Sequence, residues 1–213
     1  MNRSVHTRFD FDGYARDYEH WYETAQGKAH DCRQQAAVSR ALPSPAPGAR
    51  LLDIGCGTGH WSRFYASKGF SVAGVDLSAP MVREAHARDT GHSFYGVADA
   101  YNLPFRDAAF DVVSAMAVLE FVSRAEAVLA EMIRCVREHG PVIVGTLNRL
   151  APLNRTRVAD GKQPYASARM LAPAELTALL APYGEARLWM ADPEADGMGN
   201  GLSAAFMVAQ VLR

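Results

Sequence analysis

The stretch Leu51-Leu52-Asp53-Ile54-Gly55-Cys56-Gly57-Thr58-Gly59-His60-Trp61 decides the fold that we predict for this chain. Its apolar start predicts a buried strand, its alternating glycines predict a turn where backbone approaches a ligand closely, and its end predicts a helix. This is the ligand-binding edge of doubly wound α/β sheets. The dinucleotide fingerprint Gly-x-Gly-x-x-Gly/Ala fails because His60 stands at its last position. The acid at the strand end, Asp53, suits a cationic amino-acid ligand better than a diphosphate.

Length and composition indicate one α/β domain with room for an ample core. The 213 residues include 22 basic and 23 acidic side chains, a net charge of −1, which gives no electrostatic footprint for nucleic acid or membranes. The cysteines Cys32, Cys56 and Cys135 form neither a disulfide framework nor a metal-ligand pattern. Residues 1–30 do not resemble a signal peptide. We therefore expect a cytoplasmic protein, monomeric or homodimeric, with a small-molecule partner and no metal.

The segment that precedes the glycine stretch, residues 9–42, reads as helical. Tyr14, Tyr18, Trp21 and Tyr22 fall at i, i+4, i+7 and i+8, which predicts one aromatic helix face. Such a face either belongs to the core or folds over a cofactor and forms part of a substrate pocket. We therefore divide the chain into an N-terminal helical lid, residues 1–48, which ends in a proline-rich linker, and a cofactor-binding domain, residues 49–213.

Strands and helices alternate from residue 50 onward, which predicts a parallel sheet with crossover helices. The predicted strands are residues 51–54, 70–75, 93–97, 110–116, 141–147, 185–190 and 203–212. Ser78 is expected to cap a helix with Pro80 in its first turn, and Ser123 to begin a capping box for the helix that Gly140 ends. A last helix is predicted over residues 173–181, and residues 197–201 are expected to be flexible.

The regular alternation is interrupted at residues 148–168, which show no clear period. This stretch carries Arg149, Arg155, Arg157 and Lys162 against one acid, Asp160. It reads either as a solvated basic loop or as an insertion at the ligand edge of the sheet that selects the substrate.

Four motifs follow one another at strand-sized intervals. They are the glycine stretch, Val75-Asp76-Leu77-Ser78, Ala98-Asp99-Ala100 with Leu103-Pro104-Phe105, and Phe110-Asp111-Val112-Val113. In these motifs the chain resembles the class I S-adenosylmethionine (SAM) dependent methyltransferases of type 11, a group that includes ubiquinone-biosynthesis-like enzymes. The resemblance covers residues 9–145 well and the rest in outline. It implies a Rossmann-like α/β fold with a seven-stranded, mostly parallel sheet, helices on both faces and an antiparallel last strand.

The resemblance also implies a site for SAM, with S-adenosylhomocysteine as the product. Asp53 would offer negative charge to the ammonium group, and Asp76 would accept the ribose hydroxyls. Asp99 and the Ala100 amide would read the adenine edge, between the side chains of Leu77 and Met116. Two residues of the expected cofactor set, Cys56 and Trp61, suit a position in the hydrophobic core equally well. The expected cofactor set is Tyr18, Asp53, Gly55, Cys56, Gly57, Gly59, Trp61, Asp76, Leu77, Asp99, Ala100 and Met116.

Methyl transfer needs chiefly proximity and orientation, together with removal of a proton where the acceptor requires it. Glu120 follows the fourth strand, where many relatives carry a histidine or an acid, and is our candidate for a base or orienting group. It reads equally as a helix-start carboxylate. His20 and His60 are further candidates, although a lone histidine is more often a surface or core residue. The expected acceptor is small and partly aromatic or anionic, with the contacts Tyr14, Trp21, Tyr22, Phe121 and Arg149.

Two other classes of function remain open at this point. A non-catalytic SAM-binding protein would keep the glycines and Asp76 and show no turnover. A nicotinamide-dependent Rossmann enzyme would bind NAD and ignore SAM. Ligand binding, measured with S-adenosylhomocysteine and with NAD, distinguishes the second class from the other two.

Overall fold

A seven-stranded sheet forms the centre of the molecule, for which a computed structural model describes residues 7–91, 93–191 and 203–213. The strand order is β3-β2-β1-β4-β5-β7-β6, and β7 pairs antiparallel with both of its neighbours. The remaining strands are mutually parallel, so the predicted fold class is confirmed. The strands are β1 (Arg50–Ile54), β2 (Ser71–Asp76), β3 (Ser93–Val97), β4 (Val112–Met116), β5 (Pro141–Leu147), β6 (Arg187–Met190) and β7 (Phe206–Leu212).

Helices cover both faces of this sheet. Successive side chains of a strand point to opposite faces, and Leu51 and Leu52 of β1 accordingly enter two different buried clusters. One cluster is closed by α2 and α3, and the other by α5 and α7. The helices are α1 (His20–Glu23), α2 (Ala25–Ala41), α3 (His60–Ser67), α4 (Ala79–Arg88), α5 (Ala125–Cys135), α6 (Pro152–Ala159) and α7 (Pro173–Leu180).

The start of α4 agrees with the prediction from the sequence, whereas both ends of α5 differ from it. Ser78 caps α4 as predicted, since its hydroxyl accepts a hydrogen bond from the Met81 amide. The capping box predicted at Ser123 is wrong, because α5 begins one residue later, with Arg124 at the N-cap and no side-chain capping bond. The same helix ends at Cys135, ahead of the predicted stop at Gly140.

The N-terminal segment is not one helix, so the single aromatic helix face predicted for it is wrong. A 3-10 turn at Asp12–Tyr14, the short α1 and the longer α2 succeed one another. Thr24 separates α1 from α2 because its backbone is extended and its side chain accepts a hydrogen bond from the Gly27 amide. Such a cap starts a new helix where the aromatic spacing alone suggested a continuous one.

Residues 148–168 are more regular than predicted, since they contain α6 and a 3-10 turn at Tyr165–Ser167. Asn154 is the buried residue of α6, and its amide group donates to the carbonyls of Asn148 and Ala205 at 2.9 and 2.7 Å. Because this helix is held by a polar residue, its sequence shows no helical periodicity of apolar residues. The segment predicted to be flexible, residues 197–201, lies outside the described residues.

Candidate active site

A cavity of about 400 Å³ opens at the carboxyl ends of β1, β2 and β4. This is the edge at which open α/β sheets bind their ligands, and the volume is in the range of small-molecule sites. Its wall comes from the glycine turn, the ends of β2, β3 and β4, and residues 7–12 of the N-terminal segment. The members of the expected cofactor set that line it are Tyr18, Gly55, Gly57, Asp76, Leu77, Asp99, Ala100 and Met116.

The three glycines of the turn all have left-handed backbone, with φ of 66° at Gly55, 54° at Gly57 and 81° at Gly59. Their surroundings differ. A Cβ at Gly55 would lie 2.4 Å from Val118 Cγ2, and one at Gly59 would lie 2.8 Å from the Tyr95 hydroxyl. A Cβ at Gly57 would meet no protein atom within 4 Å. Because Gly57 lines the cavity, its bare backbone leaves room for a ligand to approach.

Asp76 ends β2 at the cavity wall with its carboxylate held by two backbone amides. Its Oδ2 accepts from Gly57 N at 2.9 Å, and its Oδ1 accepts from Ser78 N at 2.8 Å. Burial raises the pKa of Asp76, and these amide bonds oppose that rise. A carboxylate fixed in this way presents its remaining lone pairs to the cavity, where they suit a pair of hydroxyl donors.

Asp99 follows β3 on the same wall. Its Oδ1 accepts a hydrogen bond from the Tyr101 amide at 3.0 Å, which fixes the turn that contains Ala100. Leu77 and Met116 supply apolar surface in the same cavity. The sequence thus identified acids and apolar residues from three different strand ends that share one cavity.

A strap, residues 7–12, lines one side of the cavity, which the sequence did not predict. Thr7 forms an antiparallel bridge with Val122, and the Arg8 amide donates to the Phe121 carbonyl at 2.7 Å. The rings of Phe11 and Phe121 meet edge to face at 5.1 Å. Phe9 and Phe11 were both included in the helical interpretation of residues 9–42, although their rings pack on each other in the strap at 4.8 Å.

Four predicted cofactor residues in or next to the glycine turn are not among the described residues that line the cavity. Asp53 is buried and accepts from the Ser62 hydroxyl of α3 at 2.6 Å, and burial raises the pKa of Asp53 to about 7. Gly59 is the N-cap of α3. Trp61 packs in the core beside Phe64, whereas Cys56 is buried next to α4. The structure therefore gives these four residues supporting positions.

Glu120 is fully buried and is likewise absent from the cavity wall as described. Its carboxylate accepts from the Thr146 hydroxyl at 3.0 Å and from the Leu147 amide at 3.1 Å, and its carbonyl accepts from the Arg169 amide at 2.7 Å. Burial raises the pKa of Glu120 to about 7. These contacts tie the segment that precedes Phe121 to β5, so the geometry assigns Glu120 to support of the cavity wall.

The expected acceptor contacts divide into two groups. Phe121 lines the cavity, as does Tyr18 of the expected cofactor set, whose pKa burial raises to about 12. Tyr14 packs on Phe9 at the strap, Tyr22 stacks on the His60 ring at 3.8 Å, and Trp21 contacts Tyr22. These three rings are not among the described residues that line the cavity.

Arg149 is not brought to the cavity in the part of the chain that the structure describes. Its exposed guanidinium pairs with Glu175 of α7 at 3.0 Å. The carboxylate also accepts from the Ala172 amide at 2.6 Å, so Arg149 is directed toward the start of α7. His20 is exposed and pairs with Glu23, and His60 contacts Asp31.

Comparisons with known proteins agree with this geometry. Residues 52–144 match a family described as a methyltransferase domain. The chain is 38% identical over 106 residues to a malonyl-[acyl-carrier protein] O-methyltransferase of Serratia marcescens, covering 50% of this chain and 41% of that protein. It is 41% identical over 98 residues to a demethylmenaquinone methyltransferase of Beutenbergia cavernae, covering 46% and 40%. The chain thus spans about two fifths of the length of these relatives.

A solved structure shares nearly the whole fold. It is a SAM-dependent methyltransferase of Thermotoga maritima, described as a possible histamine N-methyltransferase, with a TM-score of 0.74 and 25% identity. The match covers 95% of this chain and 97% of that one. Fold and motifs define the class of the protein, the class I SAM-dependent methyltransferases. Within that class, residues 52–144 are similar to the family of type 11 methyltransferase domains.

Proposed function

We propose that this chain transfers a methyl group from SAM to a small-molecule acceptor. The single observation that carries the proposal is the cavity in which the bare Gly57 backbone faces the amide-held Asp76 carboxylate. The cavity suits SAM because it combines ligand-accessible backbone, a carboxylate for the ribose hydroxyls and apolar side chains for the adenine. When bound, SAM supplies an activated methyl group on a sulfonium sulfur.

The chain's own residues would contribute binding and orientation. Asp76 and Asp99 would accept hydrogen bonds from the adenosine part, and Leu77 and Met116 would contact the adenine ring. The strap, with Phe9 and Phe11, would cover the ligands and exclude water from them. Asp53 would act on the ligand through the turn that it supports, since its carboxylate contacts Ser62 and α3.

For the acceptor, we propose a small and partly aromatic molecule that binds beside Phe121 and the strap. Aromatic rings from the strap and from Phe121 meet at the cavity, and such surfaces favour flat apolar partners. The anionic acceptor predicted with Arg149 has less support, because that guanidinium pairs with Glu175. The two curated relatives are named for different acceptors, a malonyl-acyl-carrier protein and demethylmenaquinone, so their names do not decide the matter.

The N-terminal residues 1–48 are proposed to form a lid, and residues 49–213 the cofactor-binding domain. We also propose a cytoplasmic location. In the three described ranges, no helix combines the length and the apolar composition needed to cross a membrane.

Transfer from SAM labelled with tritium in its methyl group tests the proposed activity. The intact chain would be incubated with a panel of phenols, amines, carboxylates and metabolite extracts, and the labelled product identified. We expect labelled product with the native chain and about ten- to a hundredfold less with Asp76→Ala at subsaturating SAM. Binding of S-adenosylhomocysteine without any transfer would favour a non-catalytic SAM-binding protein, and binding of NAD alone would favour the nicotinamide class.

A further inference from the structure

The N-terminal segment is joined to the glycine turn by a polar network at Glu19. Its Oε1 accepts from the Thr58 hydroxyl at 2.5 Å and from the Arg63 guanidinium at 2.9 Å. The same guanidinium donates to the Thr58 carbonyl at 2.7 Å. Thr58 is completely buried, so its hydroxyl and its carbonyl are both held by side chains.

The position of Thr58 in the chain gives this network its importance. Thr58 stands between Gly57, which lines the cavity, and Gly59, which caps α3. Both glycines have left-handed backbone, and glycine loses more conformational freedom on ordering than any other residue. A turn of this kind stays in one conformation if neighbouring groups hold it, and Glu19 and Arg63 are such groups.

Glu19 also has a second connection to the cavity. The residue before it, Tyr18, lines the cavity on the N-terminal side. One side chain therefore fixes the turn on one wall and the backbone that carries Tyr18 on another. A parallel contact runs beside it, where the His60 ring stacks on Tyr22 and contacts Asp31 at 2.7 Å.

We propose that Glu19 is a positioning residue for SAM, an inference that rests on the function proposed above. It holds the glycine turn in its ligand-accepting conformation through Thr58 and Arg63 and places Tyr18 against the same ligand. Its carboxylate does not touch the ligand. Its contribution is preorganisation, because a turn that is already ordered loses less entropy when the ligand binds.

The groups around Glu19 stabilise its negative charge. Burial alone would raise the pKa of Glu19, but the hydrogen bonds from Thr58 and Arg63 bring that pKa below its usual value. The ion pair with Arg63 has little exposure, with 12% of the Glu19 side chain and 29% of the Arg63 side chain accessible to solvent. Partly buried charged hydrogen bonds are stronger than those on an open surface.

Calorimetry with S-adenosylhomocysteine on the intact chain tests the proposal. Glu19→Ala is expected to weaken binding about tenfold, the effect of losing one to two charged hydrogen bonds that order the turn. Glu19→Gln keeps an acceptor for Thr58 and should restore part of the affinity, with a loss of about threefold. Glu23→Gln is the matched control on the same short helix, since its carboxylate is exposed and pairs with His20. The control should bind like the native chain.

A double-mutant cycle separates positioning from general loss of stability. Glu19→Ala and Arg63→Ala act through one network, so their combined effect on affinity should be smaller than the sum of the two. Unchanged affinity in Glu19→Ala would overturn the proposal, and so would additive effects in the cycle. If the alanine variant does not fold, unchanged affinity in Glu19→Gln would overturn it. A native chain that binds no S-adenosylhomocysteine would instead overturn the proposed function itself.

Discussion

Two glycines of the turn have different roles, since one affects ligand binding and the other affects stability. Gly57→Ala places a Cβ in open space beside the cavity, so we expect a stability loss of only about 1 kcal/mol from its left-handed φ. Its main effect should be weaker binding of S-adenosylhomocysteine. Gly59→Ala adds a contact of 2.8 Å with Tyr95, so we expect a larger loss of stability, roughly 2 kcal/mol or more. Thermal unfolding and calorimetry on both variants would check this difference, and equal effects of the two on stability would contradict it.

The buried carboxyl group of Glu120 leads to a prediction of how the stability of the chain depends on pH. Burial raises its pKa from 4.5 to about 7 in the folded chain. As pH rises from 4.5, the unfolded chain loses this proton first, so the contribution of Glu120 to stability declines until the pH passes about 7. Asp53, whose pKa burial also raises to about 7, acts in the same direction.

Glu120→Gln removes that titration and should make the loss of stability between pH 5 and pH 8 shallower, by on the order of 2 kcal/mol. Denaturant unfolding at several pH values measures the change, with the exposed Glu126→Gln as the control. Parallel pH profiles for the native chain and Glu120→Gln would show that the buried carboxyl group does not titrate in this way.

At the scale of elements, the strap and the helices behind it are expected to order when the cofactor binds. The strap contacts the rest of the fold through backbone pairing with Phe121 and Val122 and through the Phe11 ring on Phe121. All six of its residues are half-buried or exposed, and segments of this kind can open locally. Hydrogen exchange should therefore show stronger protection of residues 7–22 with S-adenosylhomocysteine than without it. Equal protection in both states would assign this segment to the fixed core.

The elements also show which features a sequence can predict. β3 and β5 have the predicted bounds, and β5 is a fully buried run that begins directly after Gly140. The N-terminal helices were misjudged because the cap at Thr24 is a local contact that aromatic spacing does not indicate. α6 was missed because it is anchored by Asn154 rather than by an apolar stripe.

The same distinction applies to the site. Motif spacing identified Gly55, Gly57, Asp76 and Asp99, since residues at parallel strand ends must meet at one edge. The strap could not be identified, because it pairs through backbone groups with residues more than a hundred positions away. The surroundings of Glu120 were equally hidden, since its partners Thr146 and Leu147 belong to another strand.

At the scale of the whole molecule, two buried clusters on opposite faces of one sheet hold the strand ends in fixed positions. The central strands β4 and β5 are buried along their entire length, and the buried end of β4 forms part of the cavity edge. A rigid edge is what a reaction that depends on orientation requires. The strap and the N-terminal helices then complete the site from outside the sheet.

The most direct measurement of the central claim is the calorimetric affinity of the intact chain for S-adenosylhomocysteine and for NAD, with Asp76→Ala beside the native protein. The account predicts binding of S-adenosylhomocysteine and not of NAD. It also predicts that Asp76→Ala loses roughly 1.5–3 kcal/mol of binding free energy, the contribution of hydrogen bonds to a charged group. The exposed Glu138→Ala should bind like the native chain. Tight binding of NAD with none of S-adenosylhomocysteine, or an Asp76→Ala variant of native affinity, would contradict the account.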